Sequence, residues 1–150
     1  MAPPTVFVYG TLAAPSRADA VLDDWRDDGP AVLDGCRRVE GRYPTLAPGG
    51  ETPGRLLVTP ELDKLDAYEG VDDGLYVRVA VPVVGDEGVA DRIVRSAGQP
   101  GAGGAEAWVY VGDPDRLDAS AAWPGVGPFE PRVRREIRRR GVVVRRATTR

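Results

Sequence analysis

The run Thr5-Val6-Phe7-Val8-Tyr9-Gly10-Thr11-Leu12 sets the architecture of this chain. Five consecutive β-branched or aromatic residues read as a strand, central in its sheet. The strand stops at Gly10. A glycine directly after a central strand lets the backbone turn sharply and bring successive N–H groups to one point. Such a nest can bind a carboxylate or stabilise an oxyanion. Strand, glycine and turn are also an ordinary connection, so both readings stand at this point.

Outward from that run, Pro15 and Ser16 open a helix, with Ser16 and Asp19 in capping-box spacing. Val21, Leu22 and Trp25 form its apolar face, and Asp27-Asp28-Gly29-Pro30 ends it. Ala31 to Gly41 reads as one strand bent at Gly35, with Cys36 a small semi-buried residue in it. Tyr43 to Leu46 is a short extended piece, Pro48-Gly49-Gly50 a turn, and Gly54 to Val58 the next strand. A helix follows from Thr59-Pro60-Glu61, with Thr59 as cap and Gly70 as the left-handed residue beyond its end. Leu75 to Val84 alternates as a strand with one buried face, and Ala105 to Val111 is a further strand with Trp108 and Tyr110 on one face. Residues 86–104, rich in Gly, Asp and Arg, predict a hairpin excursion with a flexible tip. Pro131 to Arg140 predicts a helix containing Val133 and Ile137, and Val142 to Val144 a terminal strand. Five or six strands and two or three flanking helices make an α+β fold. Its sheet is mixed, mostly antiparallel, and curled toward a small β-barrel.

The 150 residues suit one domain, 1–150. The apolar runs are too short to span a membrane, and the start Met-Ala-Pro-Pro lacks the charged region of a secretory leader. The expected compartment is the cytoplasm, with no membrane partner. The net charge of −3 hides an asymmetry: the segment 132–150 holds nine arginines and one acid, Glu136. No aromatic residue is interleaved with those arginines, so the expected resting place is the acidic body or solvent, with no nucleic-acid partner.

The sequence has no histidine and one cysteine, Cys36. That removes the usual Ser-His-Asp and Cys-His nucleophiles, multi-cysteine metal sites and most catalytic zinc sites, so no metal is expected. Acid–base work falls to Glu, Asp, Tyr, Lys64 or Cys36. Leu65-Asp66-Ala67-Tyr68-Glu69-Gly70 then stands out. Leu62 and Leu65 share a helix face, and Glu69 lies about 340° on from Leu62, inside the same apolar stripe. An acid there should have a raised pKa and could serve as acid or base near neutrality. A glutamate bending out to solvent, or one paired with an arginine, fits the same spacing. Glu40 and Asp66 could supply a second acid for glycosidase-like chemistry, although an Asp at position 66 is commonly structural. Asp72-Asp73 lacks further ligands in a recognisable pattern for a divalent ion.

The pieces Val6-Phe7-Val8-Tyr9-Gly10-Thr11-Leu12, Tyr43-Pro44 with Leu46 and Pro48, Gly54-Arg55-Leu56, Leu65 to Gly70, Tyr76-Val77-Arg78 and Ala107 to Val111 occur in this order. Together they resemble the γ-glutamylcyclotransferase-like, or AIG2-like, family over residues 5 to 112. The resemblance implies a compact α+β fold around a small mixed barrel. It also implies a cofactor- and metal-independent reaction on a small-molecule γ-glutamyl amide. The substrate's α-amine attacks its own γ-carbonyl, releasing 5-oxoproline and a free amine. By position Glu69 matches the family's catalytic acid/base. The backbone of Gly10, Thr11 and Leu12, with Tyr9, would hold the glutamyl end; Tyr76 matches a pocket tyrosine, and Tyr43 a pocket wall. Ala13-Ala14-Pro15 departs from the polar residues often found there, and residues 86–104 and those past 113 have no firm counterpart. Arg78 could pair with a carboxylate, and Trp123, Pro124 and Phe129 could form a lid or pack at the barrel mouth. The alternative is a non-catalytic module on the same scaffold, binding an acidic metabolite at the Gly10–Leu12 nest.

Overall fold

The computed structural model describes residues 3–10, 12, 14–84 and 106–147. Six strands close into a barrel: β1 (Thr5–Val8), β2 (Arg26–Val39), β3 (Thr45–Val58), β4 (Tyr76–Val84), β5 (Glu106–Gly112) and β6 (Val143–Arg146). Around it lie α1 (Pro15–Val21), α2 (Leu62–Glu69), the single turn α3 (Pro114–Leu117) and α4 (Phe129–Arg140). The strand order is β1-β3-β2-β6-β4-β5. Four neighbouring pairs are antiparallel, while β1–β5 and β4–β6 are parallel. This is the expected α+β fold around a mixed barrel.

The unbroken apolar run of β1 has a structural cause. Phe7 and the following Tyr9 join the cluster inside the barrel with Leu33, Leu56, Val79 and Val109. Val6 and Val8 face the other way, into a second cluster with Ala18 of α1, Leu65 of α2, and Tyr76 and Tyr110. A strand buried on both faces cannot alternate apolar with polar residues. α4 contributes Val133 and Ile137 to the interior cluster, and Trp123 joins it with its indole N–H donating to the Leu46 carbonyl at 3.0 Å. Phe129 packs against the same cluster. Trp123 thus belongs to the barrel core and Phe129 packs against it, and neither lines the cleft described below.

Four local expectations need correction. Pro48-Gly49-Gly50 is not a turn between strands, because β3 runs through it as one fourteen-residue strand. Gly49 and Gly50 take φ of 96° and 82° opposite the register shift between Asp34 and Cys36 of β2. Glycine here makes a bulge that bends a long hairpin instead of ending it. Ser16 does not cap α1: the N-cap is Ala14, and Asp19 instead accepts the Trp25 indole N–H at 2.8 Å. Asp27 to Pro30 lie within β2, where Arg55 of β3 grips Asp27 through two nitrogens. Finally, α2 begins at Leu62, while Thr59 closes the preceding turn. Its Oγ1 accepts the Glu61 amide at 3.1 Å and donates to the Asp24 carbonyl at 2.6 Å.

The arginine-rich segment distributes itself as the charge balance predicts. Arg139 and Arg140 hold Glu136 within α4, and Arg145 and Arg146 reach Glu51 and Asp28 of the body. The expected hairpin at 86–104 lies outside the described residues. β4 and β5 on either side of it pair antiparallel as far as Pro82 opposite Glu106.

Leu65 is fully buried and is the anchor of α2 in the outer cluster. Leu65→Ala should therefore cost about 2–5 kcal/mol, a value set by lost transfer energy plus the residual cavity. Chemical denaturation of the variant, with an unchanged m value, checks the magnitude.

Candidate functional site

Beside the C-terminal end of β1 the surface opens into a cleft of about 520 Å³. Three segments distant in sequence build it: the β1 end with Tyr9, Gly10 and Leu12, the loop Tyr43-Pro44 before β3, and the end of α2 with Tyr68, Glu69 and Gly70. Tyr76 of β4 and Tyr110 of β5 complete the wall. Glu69, Tyr9, Gly10, Leu12, Tyr43 and Tyr76 therefore meet in one place. Thr11 lies outside the described residues.

α2 is tied down at both ends. Lys64 bridges Asp23 at 2.7 Å and Glu61 at 3.2 Å, and Glu61 accepts the amides of Asp23 and Asp24. One turn before Glu69, Asp66 accepts the Tyr110 hydroxyl at 2.7 Å and faces Arg78 Nε at 3.4 Å. Arg78 itself lies 4.5 Å over the Trp108 ring. Gly70 then takes the left-handed conformation that ends the helix, φ 72°, and its amide returns to the carbonyls of Asp66 and Ala67.

Glu69 is partly buried on this frame. Loss of hydration pushes its carboxyl up to about 7, and no described cation or donor offsets it. The negative end of the α2 dipole acts in the same direction. The neighbouring tyrosines are different. Burial, ahead of any charge, raises Tyr9, Tyr76 and Tyr110 above the ordinary phenol range, with the Glu69 charge a lesser contributor. Each donates its hydroxyl: Tyr9 to the Tyr110 carbonyl at 2.6 Å, Tyr76 to the Pro44 carbonyl at 2.5 Å, and Tyr110 to Asp66. These phenols are fixed neutral donors, while Glu69 can gain or lose a proton near neutral pH.

Gly10 departs from the reason given for it in sequence. Its φ is not in the left-handed region, and an added Cβ would meet only Pro44 Cγ, at 3.8 Å. Neither backbone strain nor packing demands glycine there. What the missing side chain leaves open is space in the cleft.

The other candidate acids fall away. Asp66 is engaged by Tyr110 and Arg78, Glu40 pairs with Arg38 on the surface, and neither lines the cleft. Cys36 is buried in the barrel, where desolvation pushes its thiol up to about 12. No group of three or more possible metal-ligating His, Cys, Asp or Glu residues occurs among the described residues. No described helix is long and apolar enough to cross a membrane. Sequence reasoning missed four polar cleft residues, Arg17, Tyr68, Asp73 and Tyr110. Tyr110 had a signal, since it shares strand parity with Trp108; Arg17 and Asp73 come from a helix turn and a loop that the sequence does not aim.

Residues 6–125 match the family described as gamma-glutamyl cyclotransferase, AIG2-like. The chain is similar to AIG2-like protein A of Arabidopsis thaliana, 30% identical over 115 residues, covering 73% of this chain and 64% of that protein. It is also similar to Protein AIG2 C of Arabidopsis thaliana, 37% identical over 87 residues, covering 53% of this chain and 51% of that protein. The chain thus spans between about half and two-thirds of the length of these curated relatives. A solved structure described as a gamma-glutamyl cyclotransferase shares the fold. Its TM-score is 0.55 at 19% identity, over 73% of this chain and 66% of that one.

A carboxyl raised in the folded state has a definite effect on stability. Below pH 4.5 both folded and unfolded chains keep the Glu69 proton, and the shift contributes nothing. Between 4.5 and about 7 the unfolded chain loses the proton first, so folding becomes less favourable as pH rises, and the penalty is complete above 7. Glu69→Gln removes that penalty. Its melting temperature should exceed the wild-type value at pH 8 by on the order of 4 °C and match it at pH 4. Calorimetry at the two pH values reads the difference.

Proposed function

The chain belongs to the gamma-glutamyl cyclotransferase, AIG2-like family, and we propose that its cleft converts a γ-glutamyl amide into 5-oxoproline and a free amine with Glu69 as proton shuttle. The observation that carries the proposal is the Glu69 carboxyl, held near pH 7 by desolvation beside the β1 end.

The chemistry asks for little beyond such a group. Nucleophile and electrophile belong to one molecule, so folding the glutamyl chain within the cleft brings the α-nitrogen to the γ-carbon and supplies much of the rate. Glu69 as carboxylate takes a proton from the α-ammonium. The freed amine attacks the γ-carbonyl carbon, and the carbonyl π electrons move to oxygen. Backbone amides of residues 10 to 12 are the proposed donors to that oxyanion and to the glutamyl end. Collapse re-forms the carbonyl and breaks the bond to the leaving nitrogen, which takes its proton from Glu69. The ring amide sheds one proton and the departing amine gains one, so the carboxyl ends as it began. A pKa near 7 suits both halves, since the group must accept and then donate within one turnover. The neutral tyrosines offer a polar wall that competes for neither proton. Tyr76 and Tyr9 spend their hydroxyl protons on backbone carbonyls, which supports a shaping role for them, and Tyr43 is the proposed outer wall.

Glu69→Gln should lower kcat by about 10²–10⁴-fold on γ-glutamyl dipeptides while circular dichroism stays unchanged. In the wild type, kcat/KM should fall as pH drops through about 7, because the base form is lost. Assay of 5-oxoproline release across pH 5 to 9 tests both statements; wild-type turnover by the Gln variant would remove Glu69 from the mechanism. Retained ligand binding without product from any γ-glutamyl compound would favour a binding module instead.

Gly10→Ala gives a second test. Its Cβ fits the fold but enters cleft space, so the melting temperature should hold while kcat/KM falls about tenfold, mainly through KM.

A further inference from the structure

Tyr110 is bonded to both sides of the cleft at once. Its hydroxyl donates to Asp66 Oδ1 of α2 at 2.7 Å, and its carbonyl accepts the hydroxyl of Tyr9, at the end of β1, at 2.6 Å. On β5 it stands in register opposite Arg78 of β4 and two residues after Trp108, so the three side chains share one face of the sheet. Leu65 of α2 packs in the same cluster as Tyr110 and Trp108. Arg78 Nε lies 3.4 Å from the same Asp66 oxygen, and its guanidinium lies 4.5 Å over the Trp108 ring. A phenol donating to a carboxylate makes one of the shorter and stronger hydrogen bonds available to a side chain. The residue it grips also frames Glu69 in the backbone: the Asp66 carbonyl accepts the Val71 amide at 2.9 Å and the Gly70 amide as well. Hydrogen bonds therefore link the turn that carries Glu69, through Asp66 and Tyr110, to Tyr9 and so to Gly10.

Resting on the cyclotransferase reading, we infer that Tyr110 is a positioning residue, a strut that sets the gap between Glu69 and the end of β1. The reaction needs both sides of that gap together. Glu69 must reach the α-nitrogen of the substrate while the amides of residues 10 to 12 meet the γ-carbonyl oxygen. In the attacking geometry the nitrogen and the carbonyl carbon stand about 3–3.5 Å apart, so the two protein groups must keep a matching separation. A gap that drifts misplaces one group or the other, and chemistry slows although the substrate still binds. Tyr110 itself moves no proton in the reaction. Its hydroxyl proton is committed to Asp66, and burial holds the phenol above its ordinary range.

Tyr110→Phe keeps the ring in the outer cluster and deletes only the donor. On a γ-glutamyl dipeptide that the wild type turns over, such as γ-glutamylalanine, kcat for 5-oxoproline release should fall about ten- to hundredfold while KM stays within about twofold. Asp66→Ala breaks the same contact from the other side and should show the same split between kcat and KM. The double variant should be no slower than the slower single variant, because both changes remove one contact. Asp66→Asn, which keeps an acceptor for the Tyr110 hydroxyl, should recover part of the kcat lost in Asp66→Ala. Wild-type kcat in Tyr110→Phe would overturn the strut and leave the cyclotransferase reading standing. A loss confined to KM would make Tyr110 a substrate contact, and losses that multiply in the double variant would make the two residues independent; either result also overturns the strut. Release of 5-oxoproline from no γ-glutamyl compound by the wild-type protein would remove the reading and the strut together.

Discussion

The rest of the structure depends on β1 being buried on both faces. Val6 and Val8 point into the outer cluster, Phe7 and Tyr9 into the barrel. On its edges it pairs antiparallel with β3 from Thr5 to Val8 and parallel with β5 at Val6 and Phe7. Beyond the last parallel pair, the Tyr9 hydroxyl continues the link by donating to the Tyr110 carbonyl. A strand held on four sides cannot slip or fray, because a one-residue shift would exchange its two faces and every contact they make. The floor of the cleft is the end of that strand, so it inherits the rigidity. Precision in a site comes from the elements under it, and here they are core elements.

The fold was legible wherever local pattern and tertiary environment agree. The continuous apolar run of β1, the alternation of β4 and the Gly70 stop of α2 each report a local need that the final structure also satisfies. The pattern misled where one residue type serves two geometries. Gly49 and Gly50 carry the positive φ of a turn, yet Leu46 and Ala47 before them and Leu56 and Leu57 after them lie in one strand paired with β2 throughout. Only pairing across the barrel distinguishes a bulge from a turn, and pairing is not local information. Asp27 to Pro30 failed for the same reason. Their polar, turn-rich composition is tolerated in a strand because Asp27 has Arg55 as its partner on β3, a position 28 residues away.

At the site, the helix-face arithmetic placed Glu69 on the apolar stripe of α2, and the structure brings it beside the β1 end. What arithmetic on a single helix could not supply is which acids have partners. Asp66 and Glu69 lie one turn apart, and only contacts from β4 and β5 separate them. Nor could it supply Arg17, since nothing in Ala13-Ala14-Pro15-Ser16-Arg17 reveals that the first turn of α1 faces the cleft. A charged residue on a short helix ordinarily faces solvent. Its neighbours in space come from other parts of the chain.

The partner question explains why one carboxyl of this protein is suited to proton transfer and another is not. Glu136 is the more buried residue, 3% exposed, and desolvation alone would raise it. Instead it is held down at about 2, because Arg139 and Arg140, three and four residues on along α4, meet it with charge-assisted hydrogen bonds. Glu69 occupies the last turn of a comparable helix, where the same i+3 and i+4 positions fall on Asp72 and Asp73 beyond the Gly70 stop. Ending the helix at Gly70 therefore removes the two places from which a helical cation could neutralise the carboxylate, and the residues that follow are acids. A lysine or arginine three or four residues after Glu69 would lose helical geometry at the glycine in any case. Between these two glutamates, burial decides that a charge is expensive, but the position of the helix stop decides whether the group escapes that expense by pairing or by holding its proton. Only the second outcome leaves a carboxyl whose proton can move at neutral pH, and the chain reaches it at the one glutamate of the two that opens onto a cleft.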